Sequence, residues 1–447
     1  MIKQTVGKTL LRSYFDEHSV VQSDIENYND FIDNRLQELA SKHTEIEPTI
    51  LPEEIEEYHL SFGEIKVLEP TITEADGSSR KLLPTEARLR SLSYTAPIIL
   101  EVTSYVDGAE KENFELQVGE MPIMVKSKKC HLTDMSREEL LQAGEDPDDC
   151  GGYFIINGTE KVIVGVEDLA ANRFGVDSQR SGAADYVGKI YSEQGSYKIP
   201  HKISKGRDEL FYANFTRVKK VPFVILVKAL GLLEDQQIMK HVGLEDSSEL
   251  FVNLLAFSDI QDRREAVDYI AKKMKITQAK DIRIERVEDI LDEYLLPHIG
   301  PGEEKRMEKA INLCKYLRHY IKVLRGELDV TDKDHYGNKR VKLSGDLLED
   351  LFQVNLKVLV GDLTYNFQRI VKRGKFPSAK TIIREKLLTQ RIQSAMATGN
   401  WVGGRTGISQ RVERVNYMAM LSALQRIVSP LSSSQENFGA RALHPTH

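Results

Sequence analysis

Little in this sequence could staple a fold or span a bilayer. Its three cysteines, Cys130, Cys150 and Cys314, lie far apart and include no CxxC pair, which excludes a disulfide framework and a zinc ribbon within the chain. They read instead as small buried hydrophobes. No run of about 18 apolar residues is present to cross a membrane. The opening residues lack an apolar secretory core and carry acids early, so an intracellular, cytoplasmic protein without a signal peptide is expected. There is no internal repeat and no low-complexity tract. No Ser-His-Asp order, HExxH motif or carboxylate pair on a glycine-bounded strand end forms a self-sufficient catalytic site, and the 11 histidines are scattered.

What is present is an ordinary globular mixture of 41% hydrophobic and 29% charged residues over 447 positions. At roughly 100–150 residues per domain, that length predicts two to four domains and a core that needs no staples. The net charge of −7 hides an asymmetry. Residues 365–447 carry 13 Lys and Arg against 3 Asp and Glu, a local +10, whereas the rest carries 48 against 65, or −17. A basic block on an acidic body predicts that one face meets a polyanion.

Along the chain, residues up to about Ala40 read as helical, with Phe15, Val20, Ile25, Phe31 and Leu36 spaced for one apolar face. A β-rich region follows, in which "HLSFGEIKVLEPTIT" alternates apolar and polar positions, "EADGSS" is a turn and "APIILEVTSYVDG" is a strand ending in Asp-Gly. The clearest hairpin is "GGYFIINGTEKVIVGVE". Its Asn157-Gly158 pair supplies positive φ at both centres of a type I′ turn, and its Lys161 reads as structural. From about Val221 the period becomes helical, through "PFVILVKALGLL", "DSSELFVNLLAF", "DRREAVDYIAKKMK" and "VEDILDEYLLPHI", so that roughly 186–328 forms a mostly helical inserted module. After a turn-rich exit, Leu347, Leu348, Leu351, Phe352, Leu356, Leu359, Leu363, Phe367 and Ile370 predict a long amphipathic helix packed back on the earlier sheet.

The densest puzzle is "ATGNWVGGRTGISQRVERVNYMAML" at 397–421, which holds the only tryptophan. A phosphate loop needs GxxxxGK[ST] and a dinucleotide fingerprint needs GxGxxG; neither is here. What remains is Arg405, Arg411 and Arg414 on glycine-rich backbone, with Arg391 before and Arg426 after. Guanidinium groups bind phosphate through paired donors, and glycine lets a backbone approach closely. Two readings stand at this point: nucleic-acid contact, or a solvated basic turn. In "KDHYGNKR" the residues Asp332, Asp334 and His335 suggest a metal site, but neighbours in a short turn rarely converge on one ion, so a structural turn is preferred, with Lys339 and Arg340 free to reach a partner. "EARLRSLSY" reads as a corner held by an internal Glu–Arg pair.

Taken together, "PTEARLRSLSYTAPI", "GGYFIINGTEKVIV", "DKDHYGNKRVKLSGDLL", "ATGNWVGGRTGISQ" and "VSPLSSSQENFGARALHPTH" resemble, in order, signature segments of the N-terminal half of the second-largest subunit of multisubunit DNA-directed RNA polymerase, most closely the archaeal version. The resemblance spans about 83–447. It implies an α+β multidomain fold: a mixed α/β protrusion (1–185 and, returning with the long helix, 329–385), a mostly helical lobe (186–328) and a helix-and-loop fork (386–447).

The resemblance also implies a role in forming the cleft around the DNA–RNA hybrid, with the fork beside the active centre. Carried over by position, Gln410 matches the fork glutamine facing the hybrid, Arg405 the fork-loop arginine and Arg441 the arginine near the active-site nucleotide, while Arg411, Arg414, Arg426, Lys339 and Arg340 complete the nucleic-acid-binding set. Trp401 is expected to bury in the fork. No catalytic residue, metal ligand or cofactor is assigned to this chain; Mg2+ would be held by the largest subunit, and the isolated chain is expected to be inactive. Expected partners are the remaining C-terminal half of the second-largest subunit, the largest subunit, other polymerase subunits, template DNA and nascent RNA. Two departures stand out: Ala423, Gln425 and Ser433 leave fewer cations than the family pattern, and the sequence stops at "LHPTH", as a split-gene product or a fragment would. The alternative is a stand-alone nucleic-acid-binding scaffold derived from that family.

Overall fold

The computed structural model describes residues 4–41, 48, 51, 55, 57–74, 76–178, 185–194, 197–216, 218–244, 248–429 and 445–446. The chain divides into two compact units, one running to Asp168 and resuming at Val341, the other formed by Leu169–Arg340. Among the described residues no helix is long and apolar enough to cross a membrane.

The first unit is built on a three-stranded antiparallel sheet of Tyr58–Val67, Thr95–Val106 and Ala109–Pro122, with Thr95–Val106 central. The last two strands turn at Asp107 and Gly108, with φ of 50° and 77°, the positive values that a type I′ turn requires. One face of the sheet is apolar because Ala96, Ile98, Leu100 and Val102 alternate inward and are all buried. The expected long helix is Ser344–Val371, 28 residues. Of the expected stripe, Leu347, Leu348, Leu351, Phe352, Leu356, Leu359, Leu363 and Phe367 are buried and Ile370 is half-buried, while Val358 and Tyr365 of the same helix are exposed. Phe367 stacks on Tyr58 of the sheet with ring centroids 4.6 Å apart.

The N-terminal end of the long helix is fixed by polar contacts. At the N-terminus of the long helix, Asp24 accepts from the Ser344 backbone N–H at 2.9 Å and from its hydroxyl at 2.7 Å, while Asn27 Oδ1 accepts from the Asp346 N–H at 3.2 Å. These contacts satisfy donors that a helix start leaves unpaired. Arg35 then bridges Asp346 at 2.6 Å and Glu349 at 3.0 Å. Of the expected N-terminal stripe, Phe31 and Leu36 are buried, but Phe15 is 52% exposed. It sits on a separate helix, Gln4–Glu17, whose Leu10, Leu11 and Tyr14 are exposed as well.

In the second unit helices begin at Phe223, where the period changes, with Phe223–Ala229, Ser248–Leu255, Arg263–Lys273 and Lys280–Tyr294 on the expected segments. Ahead of them stands a five-stranded antiparallel sheet, Gly175–Ser178 to Val218–Pro222, which the sequence pattern did not single out. The turn at 332–338 is structural: Asp332 accepts from the Asp334 N–H at 2.8 Å and His335 Nδ1 from the Gly337 N–H at 2.9 Å. Cys130 and Cys314 are buried as expected, but Cys150 is only half-buried.

A buried histidine makes the second unit acid-sensitive. His201 Nε2 accepts from the Leu296 N–H at 3.0 Å, in a residue held at φ 45°, and Nδ1 lies 3.0 Å from Ile199 O, so the ring is neutral with its proton on Nδ1. Burial pushes its pKa down to about 4, with His298 and Lys309 adding like charge. The unfolded ring protonates first as pH falls, so stability is intact above about pH 6.5 and declines toward pH 4, by about 3 kcal/mol in total. His201→Gln, a neutral acceptor, is expected to remove that slope. Exchange of the Leu296 amide, corrected for its intrinsic pH dependence, measures it; an equal decline in the variant would exclude His201.

Candidate nucleic-acid interface

The glycine-rich stretch is a helix-to-strand connection. The helix Glu385–Thr398 ends on Gly399, whose φ of 78° is left-handed and whose N–H reaches Ala395 O at 2.8 Å. A Cβ at Gly399 would stand 2.7 Å from Ser409 O, so only glycine fits. The loop closes on itself, with Trp401 N–H donating to Arg405 O at 2.7 Å and Ile408 N–H to Gly399 O at 3.2 Å. Trp401 is buried, and its indole N–H donates to Leu347 O of the long helix at 2.8 Å, as the burial expectation required. Ser409–Arg411 then pairs antiparallel with Thr159–Ile163, adding a third strand to the Asn157-Gly158 hairpin. Within that hairpin Lys161 donates to Ala397 O at 3.0 Å, a structural role.

The candidate residues fall into distinct environments. Arg405 Nη2 lies 3.0 Å from Asp168, and its Nη1 lies 3.9 Å from Asp350. Gln410 bridges two segments, donating to Gly407 O at 3.0 Å and accepting from Arg426 at 2.9 Å. Arg414 grips Glu160 at 2.6 Å and Asp149 at 2.7 Å, with its guanidinium 5.3 Å from the Tyr153 ring centroid. Among the described residues, Arg411 is the one of these four arginines whose side chain makes no hydrogen bond or ion pair. It is exposed on the rim of an open pocket of about 590 Å³ lined also by Arg88, Gly158, Thr159, Glu160 and Arg414. Lys339 and Arg340 belong to the second unit. Lys339 is buried rather than free, and Arg340 is exposed with Nη1 donating to Lys339 O at 2.7 Å. Arg441 and Ser433 lie outside the described residues.

Beneath the pocket is a network that pattern reading missed. Arg88 binds Glu145 at 2.9 Å, Glu160 at 2.8 Å and the Tyr153 hydroxyl oxygen at 2.8 Å. Burial opposes the Arg88 charge, but Tyr153, Glu145 and Glu160 outweigh it and hold its pKa above the ordinary value. Hydrogen bonding to Glu160 does the same for Arg414. Burial alone would raise the Asp149 carboxyl, yet the Gly151 N–H and Arg414 hold it below its usual range. The expected Glu–Arg pair of the same corner is also present, Glu86 to Arg90 at 2.9 Å, on the exposed side. Arg414 is thus a clamp joining 412–415 to the hairpin.

The sequence pattern described as RNA polymerase beta subunit matches residues 19–391, and that of RNA polymerase Rpb2, domain 3 matches residues 410–447. The chain belongs to the RNA polymerase beta subunit family. It is 43% identical over 457 positions to the DNA-directed RNA polymerase subunit Rpo2N of Methanocaldococcus jannaschii, covering 99% of this chain and 90% of that protein. It is 41% identical over 441 positions to the subunit Rpo2 of Saccharolobus solfataricus, covering 98% of this chain but only 39% of that longer protein. To Rpo2N of Halobacterium salinarum it is 38% identical, covering 98% and 86%.

The domain 3 match takes in Gln410, Arg411, Arg414 and Arg426, the residues that the third strand and its clamp hold together. Arg405 lies just ahead of it, on the loop that enters that strand. Among the described residues of this family member, no group of three or more His, Cys, Asp or Glu side chains is gathered to hold a metal.

Proposed function

We propose that this chain serves in a DNA-directed RNA polymerase as part of the second-largest subunit, lining the cleft that holds the DNA–RNA hybrid. The observation that carries the reading is the near-complete, 90% coverage of a relative named as a polymerase subunit, with the domain 3 match falling on the basic block. In this reading 1–185 with 329–385 form the protrusion, 186–328 the lobe and 386–447 the fork. The reaction is nucleotidyl transfer, in which two Mg2+ ions held by the largest subunit would align the 3′ hydroxyl and the incoming triphosphate. This chain contributes cations and amides to the nucleic-acid backbone: Arg411 and Arg405 neutralise phosphate, Gln410 faces the hybrid and Arg441 stands near the nucleotide. Such contacts fix register rather than read sequence. Its partners are the rest of the second-largest subunit, the largest subunit and the nucleic acids, and the chain alone is inactive.

The test is the native mass of the endogenous protein with template-directed nucleotide incorporation assayed in the same fraction. Comigration with a much larger particle that extends RNA supports the reading. A monomer-sized particle without activity would leave the stand-alone scaffold, which the near-complete family coverage does not favour. Arg411→Ala is expected to weaken hybrid binding and to flatten the slope of log K against log salt by about one unit, as loss of one phosphate contact should. An unchanged slope removes Arg411 from the interface.

A further inference from the structure

The carboxylates facing the glycine-rich loop suggest a device beyond phosphate contact. Of the residues 400–407, Arg405 alone ties its side chain by an ion pair to the rest of the first unit, among the described residues. The tie is incomplete. Nη2 makes one hydrogen bond to Asp168 at 3.0 Å, whereas Nη1 stands 3.9 Å from Asp350, outside hydrogen-bond range. Both Arg405 and Asp168 are 22% exposed at the side chain, so solvent and ions reach the pair. A partly exposed single-point pair is weak, whereas a phosphate offers a guanidinium two parallel acceptors.

The backbone on either side is free to follow. Gly403, Gly404 and Gly407 have φ of 76°, 73° and 73°, and a Cβ at each would meet nothing within 4 Å. They flank Arg405 as pivots, while both ends of the loop are pinned by Gly399, by the Trp401 indole and by Ser409, whose hydroxyl donates to Met396 O at 2.6 Å.

We propose that Asp168 and Arg405 form an exchangeable clasp: Asp168 holds the loop down in the free chain and yields Arg405 to a backbone phosphate of bound nucleic acid. Asp168 is then a positioning residue that sets how readily the loop engages. The proposal rests on the polymerase reading for its ligand, but the clasp itself can be read without any ligand. Trp401 is the only tryptophan and its backbone N–H donates to the Arg405 carbonyl, so its fluorescence reports the loop directly.

The experiment uses the full chain, acrylamide quenching of Trp401, and a short DNA–RNA hybrid as probe. Asp168→Asn, close in shape, should raise quenching at low salt. Wild type should approach the variant as salt screens the pair, a measurement that needs no substitution. The variant should bind the hybrid about fivefold more tightly, because less of the population is held closed. That gain should vanish when Arg405→Ala is added, and Glu413→Gln, which removes an equal charge away from the clasp, should not reproduce the Trp401 response. Additive effects of the two substitutions on binding, or wild-type quenching that ignores both salt and Asp168→Asn, would overturn the clasp. If no variant binds the hybrid, the polymerase reading fails, and the ligand-free quenching alone decides whether the clasp exists.

Discussion

Gly345→Ala is expected to destabilise the first unit by about 3 kcal/mol, an overpacking cost at the upper end of the usual range. A Cβ at this position would overlap the Asn27 carbonyl oxygen and crowd its side-chain oxygen, which would stand 2.6 Å from the added methyl group. The obstacle is backbone, not the tip of a flexible chain. Relief requires the helix Gln22–Asp30 to retreat, and with it the contacts of Asp24 to Ser344 and Asn27 to Asp346 that satisfy the start of the long helix. Gly361 in the same helix is the control. It is exposed and a Cβ there meets nothing within 4 Å, so Gly361→Ala should stabilise by about 0.5–1 kcal/mol through helix propensity. Urea unfolding followed by Trp401 emission reads the first unit specifically, since the second contains no tryptophan. Equal midpoints for the two variants would show that the close approach to Asn27 is not constraining.

Arg88→Met is expected to cost about 3–5 kcal/mol in the same assay, because removing one partner strands buried charge. The Glu145 and Glu160 side chains are 6% and 12% exposed, and both converge on this guanidinium. Arg414 still reaches Glu160 in the variant, but nothing in that network replaces the Arg88 contact to Glu145. The neighbouring Arg90, 44% exposed and paired with Glu74 and Glu86, offers the contrast: Arg90→Ala should leave the unfolding midpoint almost where it is in the unmodified chain. A comparable loss at both positions would mean that burial of the carboxylates does not set the penalty.

Features decided by neighbouring residues were legible in the sequence. Asn157-Gly158 adopts the positive φ values of 49° and 73° that its turn type demands, and the long helix follows the spacing of its leucines. Features that join distant positions were not. The helix Arg306–Leu324 was missed because Arg306 and Lys309 lie on its buried side and interrupt the apolar stripe. The strand Tyr186–Gln194 buries Gly188 and Ser192 alongside Val187 and Ile190, which blurs the apolar alternation. At the candidate interface, counting charge located the basic block but not its internal partners. Arg405 meets an acid 237 positions away, and Arg414 meets acids 254 and 265 positions away. Only the fold reveals that Arg405, Arg414 and Arg426 are already engaged and that, among the described residues, Arg411 is left to engage something else.

The insertion of one unit within the other also sets a timetable. Asp24 and Ser344 must meet across 320 positions, so the start of the long helix cannot be satisfied until the whole intervening unit has left the ribosome. Until then the part of the first sheet's apolar face that the long helix covers, including Tyr58 opposite Phe367, stays open. Folding of Leu169–Arg340 in the interval replaces most of a floppy span by a fixed one, which lowers the entropic cost of that closure. Slowed folding of the second unit should therefore surface as aggregation of the first.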